Sequence, residues 1–154
     1  MTTGTARERL AARQEEVLAA LLRGDVPPGV DAAGAGLTTR VLHRKRSDGA
    51  LRVVPELDEL PGWRTAFHAW AAAHPADGCA HDDVRRFVAA LRDGSVDVPT
   101  ADDWLGLHDV HEGRRRVALV RLAGRRTLVV GLGSHLWRLT PRRRGGALLE
   151  GTGS

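Results

Sequence analysis

The stretch RRVALVRLAGRRTLVVGL, residues 115–132, decides the fold class of this chain. Val117, Leu119 and Arg121 alternate with Ala118, Val120 and Leu122, Ala123-Gly124 forms a short break, and a second apolar run extends from Thr127 to Leu132. Two short, mainly apolar runs on either side of such a break are typical of a β-hairpin. The segment 136–139 indicates a third short strand. Because a lone hairpin is marginally stable in water, we expect this small antiparallel unit to pack on other structure.

The chain that precedes this stretch has helical periodicity. Thr5 and Glu8 have the spacing of a capping box, in which each side chain accepts from the other residue's backbone N–H. The first helix is predicted to begin there and to end at Gly24, ahead of Pro27-Pro28. Its apolar face is predicted to consist of Leu10, Val17, Leu18, Leu21 and Leu22.

A second helix is predicted from a cap at Asp31 to the basic run 43–46, where cations suit the helix dipole. Leu37, Val41 and Leu42 are expected to face inward. Pro55 is predicted to break the following segment, 50–60, into a short helix and a turn.

Three further helices are predicted before the strands. The first follows Pro61-Gly62 and ends at His74-Pro75, and its Trp63 and Trp70 are expected in the core with Phe67 rather than on a ligand platform. The others run from Asp82 or Asp83 to Gly94 and from Thr100 to His108. We therefore predict an α+β protein with three parts: an N-terminal bundle of about five helices (1–112), a small β unit (113–141) and a flexible basic and glycine-rich tail (142–154).

Composition limits the class of protein. The 154 residues are 42% hydrophobic and 27% charged, as in ordinary globular domains. Cys79 is the only cysteine, which excludes an internal disulfide and a zinc site built on several thiolates. No apolar stretch is long enough to span a membrane and the N-terminus is polar, so we expect a cytoplasmic protein without a membrane partner.

Charge is distributed unevenly along the chain. Residues 1–103 carry 13 basic and 16 acidic side chains, whereas residues 104–154 carry 10 basic and 3 acidic ones. Such a basic end attracts an acidic peptide or an acidic polymer. Peptide binding combines the hairpin edge, which can accept an added strand, with arginines that pair with acidic side chains. The candidate peptide-binding residues are Arg115, Arg116, Arg125, Arg126, Trp137 and Arg138.

The motifs that carry catalytic or metal chemistry are weak. His108 and His111 are three residues apart, but no third ligand is evident. Cys79 and His81 could form a nucleophile and base, but no orienting group accompanies them. The segment 131–134 lacks the lysine and the third glycine of a phosphate loop, so it is interpreted as a turn. We expect a chain that is not an enzyme and holds no metal or cofactor.

Three segments resemble a known family. They are VLAALLRGDVPPGVD (17–31), VVPEL (53–57) and FHAWAAAHP (67–75), within a region of similarity over about residues 10–92. The chain resembles the partner proteins of multinuclear non-haem iron-dependent oxidative enzymes, which modify ribosomally made peptides. In that family the N-terminal helical domain was formerly labelled DNA-binding, and a smaller C-terminal part with β-structure helps present the precursor peptide. The resemblance implies that the iron is held by the partner enzyme.

Two functions follow as hypotheses. The first is a non-catalytic accessory protein that binds an iron-dependent oxidase through its helices and presents a precursor peptide at the hairpin. The alternative is a regulatory protein that binds nucleic acid through the basic C-terminal region, for which affinity would fall steeply with salt.

Overall fold

The computed structural model describes residues 5–74, 78–133 and 135–141. These residues form five α-helices, one 3₁₀ segment and one three-stranded antiparallel sheet, which confirms the predicted α+β class. The elements are α1 (Ala6–Arg23), α2 (Ala32–Val53), the 3₁₀ segment (Pro55–Glu59), α3 (Trp63–Ala73), α4 (Ala80–Arg92), α5 (Ala101–His111), β1 (Val117–Leu122), β2 (Arg125–Leu132) and β3 (His135–Leu139).

The chain divides into two compact units, Met1–Asp102 and Asp103–Ser154, which we call the helical unit and the sheet unit. Nearly all of α5 is grouped with the sheet, whereas the sequence places its boundary after residue 112, at the other end of α5. The predicted tail, 142–154, lies outside the described residues. No helix in the described ranges is both long and apolar enough to cross a membrane.

Aromatic side chains of α3 and α4 form the centre of the helical unit. Phe67 is fully buried, and its ring centroid lies 5.2 Å from that of Phe87 and 5.5 Å from that of Trp70. Edge-to-face and tilted aromatic pairs at such distances stabilise a core beyond the area they bury. Trp63 is also buried, so the prediction that the tryptophan stripe belongs to the core is confirmed.

A buried ion pair joins α2 to α4. Arg46 forms a bidentate pair with Asp83, donating from Nε and from Nη2, with the Nη2–Oδ1 distance 2.8 Å. Its Nη1 also donates to the carbonyls of Ala71 and His74, at 3.0 and 2.8 Å. Because these carbonyls lie at the C-terminal end of α3, one guanidinium group links α2, α3 and α4.

The second helix differs from its prediction. It continues past the basic run to Val53, two residues before Pro55, because proline disfavours helical geometry only in the residue directly ahead of it. Leu37 and Val41, expected inside, are exposed. The buried face of α2 consists mainly of small and polar residues: Ala35, His43, Ser47, Gly49 and Ala50.

The first helix confirms its predicted cap but only part of its apolar face. The Thr5 hydroxyl accepts from the Glu8 N–H, and the Glu8 carboxylate accepts from the Thr5 N–H. Leu21 is buried, whereas Leu10 and Leu18 are exposed. Helical spacing gives the direction of an apolar stripe, but it does not say how much of the stripe a neighbouring helix covers.

The sheet unit has its own core between α5 and one face of the sheet. Leu107, Val110, Ala118, Val120 and Val129 form this buried cluster. The strands run in the order β1-β2-β3, with Val120 opposite Thr127 and Val129 opposite Arg138. Both residues of the predicted hairpin turn have positive φ angles, 48° at Ala123 and 76° at Gly124, as a type I′ turn requires.

Candidate functional site

One face of the sheet carries large apolar side chains that the sheet unit does not cover. Side chains alternate across a strand, so the residues next to the buried Ala118, Val120, Thr127 and Val129 point to the opposite side. We call this side the outer face. Leu119 is 66% exposed and Leu132 is 62% exposed. The other exposed apolar members are Val117, Trp137 and Leu139.

The outer face continues to an open strand edge. β1 is a terminal strand of the three, so one row of its backbone groups does not pair with β2. The Arg121 N–H in that row donates to Asp103 Oδ1 at 2.9 Å, which covers one end of the edge. Backbone groups also alternate along the strand, so the N–H and C=O groups of Val117 and Leu119 point away from β2, as those of Arg121 do. This part of β1 has the geometry that strand addition requires.

The predicted arginines lie at the two ends of β1 rather than in one cluster. Arg115 and Arg116 precede the strand, whereas Arg125 and Arg126 follow the turn at its far end. Six residues of strand separate the two pairs by roughly 20 Å. The structure therefore places cations at both ends of β1.

The first pair of arginines is partly engaged within the sheet unit. Arg115 Nε lies 3.5 Å from the buried carboxylate of Asp109, and Arg114 Nη1 lies 3.7 Å from it. The Arg116 carbonyl accepts from the Gly131 N–H at 2.8 Å, which extends the β1-β2 ladder. The Arg115 side chain is nevertheless well exposed, so a single carboxylate does not withdraw it from solvent.

The second pair, Arg125 and Arg126, lies beside Arg121, which is not among the predicted peptide-binding residues. Arg126 lies directly opposite Arg121 in the ladder, and both side chains belong to the outer face. Like charges in such a cross-strand pair repel each other. Arg121 could have been found from the sequence by folding residues 117–130 about Ala123-Gly124. Arg125 points to the other face, and its Nη2 donates to the Pro141 carbonyl at 3.2 Å.

Trp137 and Arg138 are adjacent in β3 and therefore face opposite sides of the sheet. Trp137 pairs with Val130 on the outer face and is about half exposed, with its ring centroid 5.8 Å from that of His135. Arg138 pairs with the buried Val129. Of the predicted residues, Arg126 and Trp137 thus share the outer face, whereas Arg125 and Arg138 lie on the other.

The residues considered and set aside for catalytic or metal chemistry differ in their surroundings. His108 is buried and stacks on Trp104, with ring centroids 4.9 Å apart, whereas His111 is exposed. Cys79 precedes α4, which begins at Ala80, and its thiol donates to Asp82 Oδ2 at 3.2 Å. In the part of the chain that the structure describes, no three His, Cys, Asp or Glu residues are grouped to hold a metal ion.

A cleft between α2 and α3 is a second site, and the sequence analysis does not predict it. Its volume is about 720 Å³, and it is lined by Arg40, His43, Arg44, Ser47, Asp48, Arg64 and His68. We call it the α2–α3 cleft. Helical spacing could have revealed it, because Arg40, Arg44 and Asp48 follow one another at intervals of four on α2, and Arg64 and His68 do so on α3.

Hydrogen bonds fix several of the polar groups in the α2–α3 cleft. Ser47 Oγ donates to the Arg44 carbonyl at 2.9 Å, so its oxygen accepts from Arg64 Nη1 at 3.2 Å and from His68 Nε2 at 3.1 Å. Arg64 Nη1 also lies 2.8 Å from Asp48 Oδ1. Ser47 is fully buried, so this network is built into the helix contact.

Both histidines of the α2–α3 cleft have lowered pKa values. Burial is the main cause of the lowered pKa of His43, and His68 and Arg46 add positive charge nearby, against a hydrogen bond to the Leu22 backbone that raises it. Burial also lowers the pKa of His68, and Arg64 lowers it further, against Asp48, which raises it. Burial therefore favours the neutral form of both rings.

Comparisons with known proteins give one family match and one partial relative. A UPF0276 protein from Streptomyces avermitilis is 39% identical to this chain over 89 residues, which are 56% of this chain and 18% of that protein. The chain thus spans less than a fifth of the length of this curated relative. No solved structure matches the chain. The sequence model of the SCO6045-like, C-terminal domain family matches residues 11–93, which end before α5 and the sheet. Because this match covers more than half of the chain, the chain belongs to the family of SCO6045-like C-terminal domains.

Proposed function

We propose that this chain is a non-catalytic accessory protein that presents a ribosomally made precursor peptide to an iron-dependent peptide-modifying oxidase. The observation that carries the proposal is the outer face of the sheet. It combines exposed apolar side chains, an open β1 edge at Val117 and Leu119, and arginines at both ends. Large apolar surface left uncovered on a small unit marks an interaction site.

The bound peptide would be extended and acidic. As an added strand beside β1, it would exchange backbone hydrogen bonds with Val117 and Leu119. Alternate side chains would then lie over Val117 and Leu119, which favours apolar residues at every second position, whereas Trp137 lies in β3 at the opposite edge of the sheet, beyond their reach. Acidic residues near the ends of this strand would pair with Arg115 at one end and with Arg121 and Arg126 at the other.

The proposed oxidase partner rests on the family resemblance described above. In the Streptomyces avermitilis protein the matched region is a small share of a much longer chain. The matched region is therefore joined to a larger second part in that protein. In the present case we propose that the partner is a separate protein. We place the iron and the chemistry in that partner.

Peptide binding is tested with a synthetic peptide, labelled for fluorescence anisotropy, that has valine at alternate central positions, threonine between them and glutamate at both ends. We expect the double variant Arg121→Glu, Arg126→Glu to bind at least about tenfold more weakly, equivalent to about 1.4 kcal/mol. The matched control is Lys45→Glu with Arg85→Glu, which makes the same charge change on exposed positions of the helical unit. Equal losses in both double variants would mean that net charge alone attracts the peptide.

The oxidase partner is tested by co-expression and purification with an iron-dependent oxidase encoded beside this chain. We expect a complex that survives high salt, and a peptide that is retained only when the outer face is intact. A chain that instead retains bulk nucleic acid, and releases it as salt rises, would support the nucleic-acid-binding alternative and contradict the accessory role.

A further inference from the structure

The α2–α3 cleft has the charge and donors of an anion site. Three guanidinium groups and one carboxylate line it, those of Arg40, Arg44, Arg64 and Asp48. These four groups alone leave an excess of two positive charges in one cleft. A cleft lined by an excess of one charge concentrates ions of the opposite charge, so this cleft is expected to attract anions.

The arginines differ in how far the protein satisfies them. Arg64 is held by Ser47 and Asp48 through Nη1 alone, and its guanidinium carbon lies 4.8 Å from the centre of the Trp63 ring. Arg44 Nε lies 4.0 Å from Asp48, the limit of an ion pair, and its side chain is 82% exposed. Arg40 has no hydrogen-bond or ion-pair partner among the described residues. Several N–H donors thus remain to bind a ligand.

The floor of the cleft is polar and rigid. His43 is only 7% exposed, and its Nδ1 has no hydrogen-bond partner among the described atoms. Ser47 beside it is fully buried and positions both Arg64 and His68. The Ser47 hydroxyl and His68 Nε2 already donate within this network, so the donors left for a bound anion are the arginine guanidinium groups.

We propose that the α2–α3 cleft binds a small molecule through a dianionic phosphate monoester group, with Arg40, Arg44 and Arg64 as its charged donors. Two negative charges match the excess positive charge of the lining. Planar guanidinium groups fit phosphate oxygens in bidentate pairs. The cleft of about 720 Å³ is much larger than a phosphate group, so an organic body attached to the phosphate has room in it. The site lies in the helical unit, and the inference does not depend on the proposed function of the sheet.

The proposal is tested on the full chain by NMR titration with inorganic phosphate, phenyl phosphate and succinate at constant ionic strength. We expect the ring-proton signals of His43 and His68 to shift on titration with both phosphates, and phenyl phosphate to bind more tightly than inorganic phosphate. Succinate is a dianion with carboxylate geometry, and we expect it to bind at least tenfold more weakly. Equal affinity for succinate and phenyl phosphate would overturn the assignment to phosphate.

Variants separate a built site from general electrostatic attraction. Arg40→Gln and Arg64→Gln are each expected to weaken phenyl phosphate binding at least tenfold. Arg40 is exposed and without a recorded partner in the described ranges, so its variant should fold normally even if Arg64→Gln does not. Lys45→Gln is the matched control, since it removes one charge from the same helix outside the cleft. Equal losses in Arg40→Gln and Lys45→Gln, or no histidine shift with either phosphate, would overturn the proposal.

Discussion

At the scale of single residues, Arg46 is the side chain on which most of the helical unit depends. Its side chain and that of Asp83 are 7% and 8% exposed, and it also satisfies two carbonyls at the end of α3. Without Arg46, the buried Asp83 would keep only the more exposed Arg86, 3.0 Å away, as a cation partner within the described part of the chain, and both carbonyls would lose this donor. We expect Arg46→Ala to lower the free energy of unfolding by about 3–5 kcal/mol, measured by urea denaturation.

Arg13→Ala is the matched control for this prediction. It removes the same side chain from an ion pair with Glu16 that is largely exposed. Exposed pairs contribute little, so its expected cost is below about 1 kcal/mol. Similar costs for the two variants would show that Arg46 is not the link between α2, α3 and α4 that the contacts indicate.

At the scale of elements, the hairpin turn has glycine at its second central position but alanine at its first, where asparagine is more favourable. Ala123 has a φ angle of 48°, a left-handed conformation that costs an L-residue about 1–2 kcal/mol. Asparagine adopts this conformation more readily and precedes glycine in most type I′ turns. We expect Ala123→Asn to raise the free energy of unfolding by about 0.5–1 kcal/mol. The β-branched variant Ala123→Val should lower it, and a gain from both variants would contradict the turn assignment.

The ladder gives a second prediction at this scale, in which stability and binding change in opposite directions. Arg121 and Arg126 are cross-strand neighbours of like charge on the outer face. Arg126→Glu turns their repulsion into attraction, and we expect about 0.2–1 kcal/mol of added stability by denaturation. The same variant should weaken binding of the glutamate-containing peptide. If it instead lowers both stability and binding, the two arginines do not face each other as the register requires.

The strands could be predicted from the sequence because their pattern is local. The two short apolar runs in residues 117–132 and the Ala123-Gly124 turn between them define the hairpin without help from distant contacts. The second helix could not be read in the same way, because Leu37 and Val41 suggest an apolar face that the bundle leaves exposed. Its buried face contains His43, Ser47 and Gly49, which pack closely with neighbouring helices, and residue type alone does not reveal such packing.

At the scale of the whole molecule, the sequence predicts the composition of the candidate site better than its arrangement. The basic C-terminal end is evident from charge counts, but whether its arginines meet depends on register, which places Arg115 and Arg126 at opposite ends of β1. The α2–α3 cleft is harder to predict. Its residues come from two helices whose contact is fixed by burial of Ser47 and by the aromatic core of α3 and α4.

Those same helices make the stability of the chain depend on pH. The pKa values of His43 and His68 are lowered from 6.5 in the folded state, mainly because burial disfavours the charged rings. Below about pH 6.5 the unfolded chain therefore binds more protons than the folded chain, and linkage requires the free energy of unfolding to fall. We expect stability to be flat with respect to these two groups above that pH and to decrease from pH 6.5 downward.

His68→Gln isolates one of the two contributions. The glutamine amide can still donate to Ser47, but it does not titrate, so urea denaturation between pH 7.5 and 5.5 should show a shallower decrease in stability than in the unmodified chain. The difference is bounded by one proton, or about 1.4 kcal/mol per pH unit. The exposed His81→Gln is the matched control, and its pH dependence should follow that of the unmodified chain. If the cleft also binds a dianion, phosphate should raise the pKa of His68 and reduce the loss of stability at low pH, an effect that Arg40→Gln should abolish.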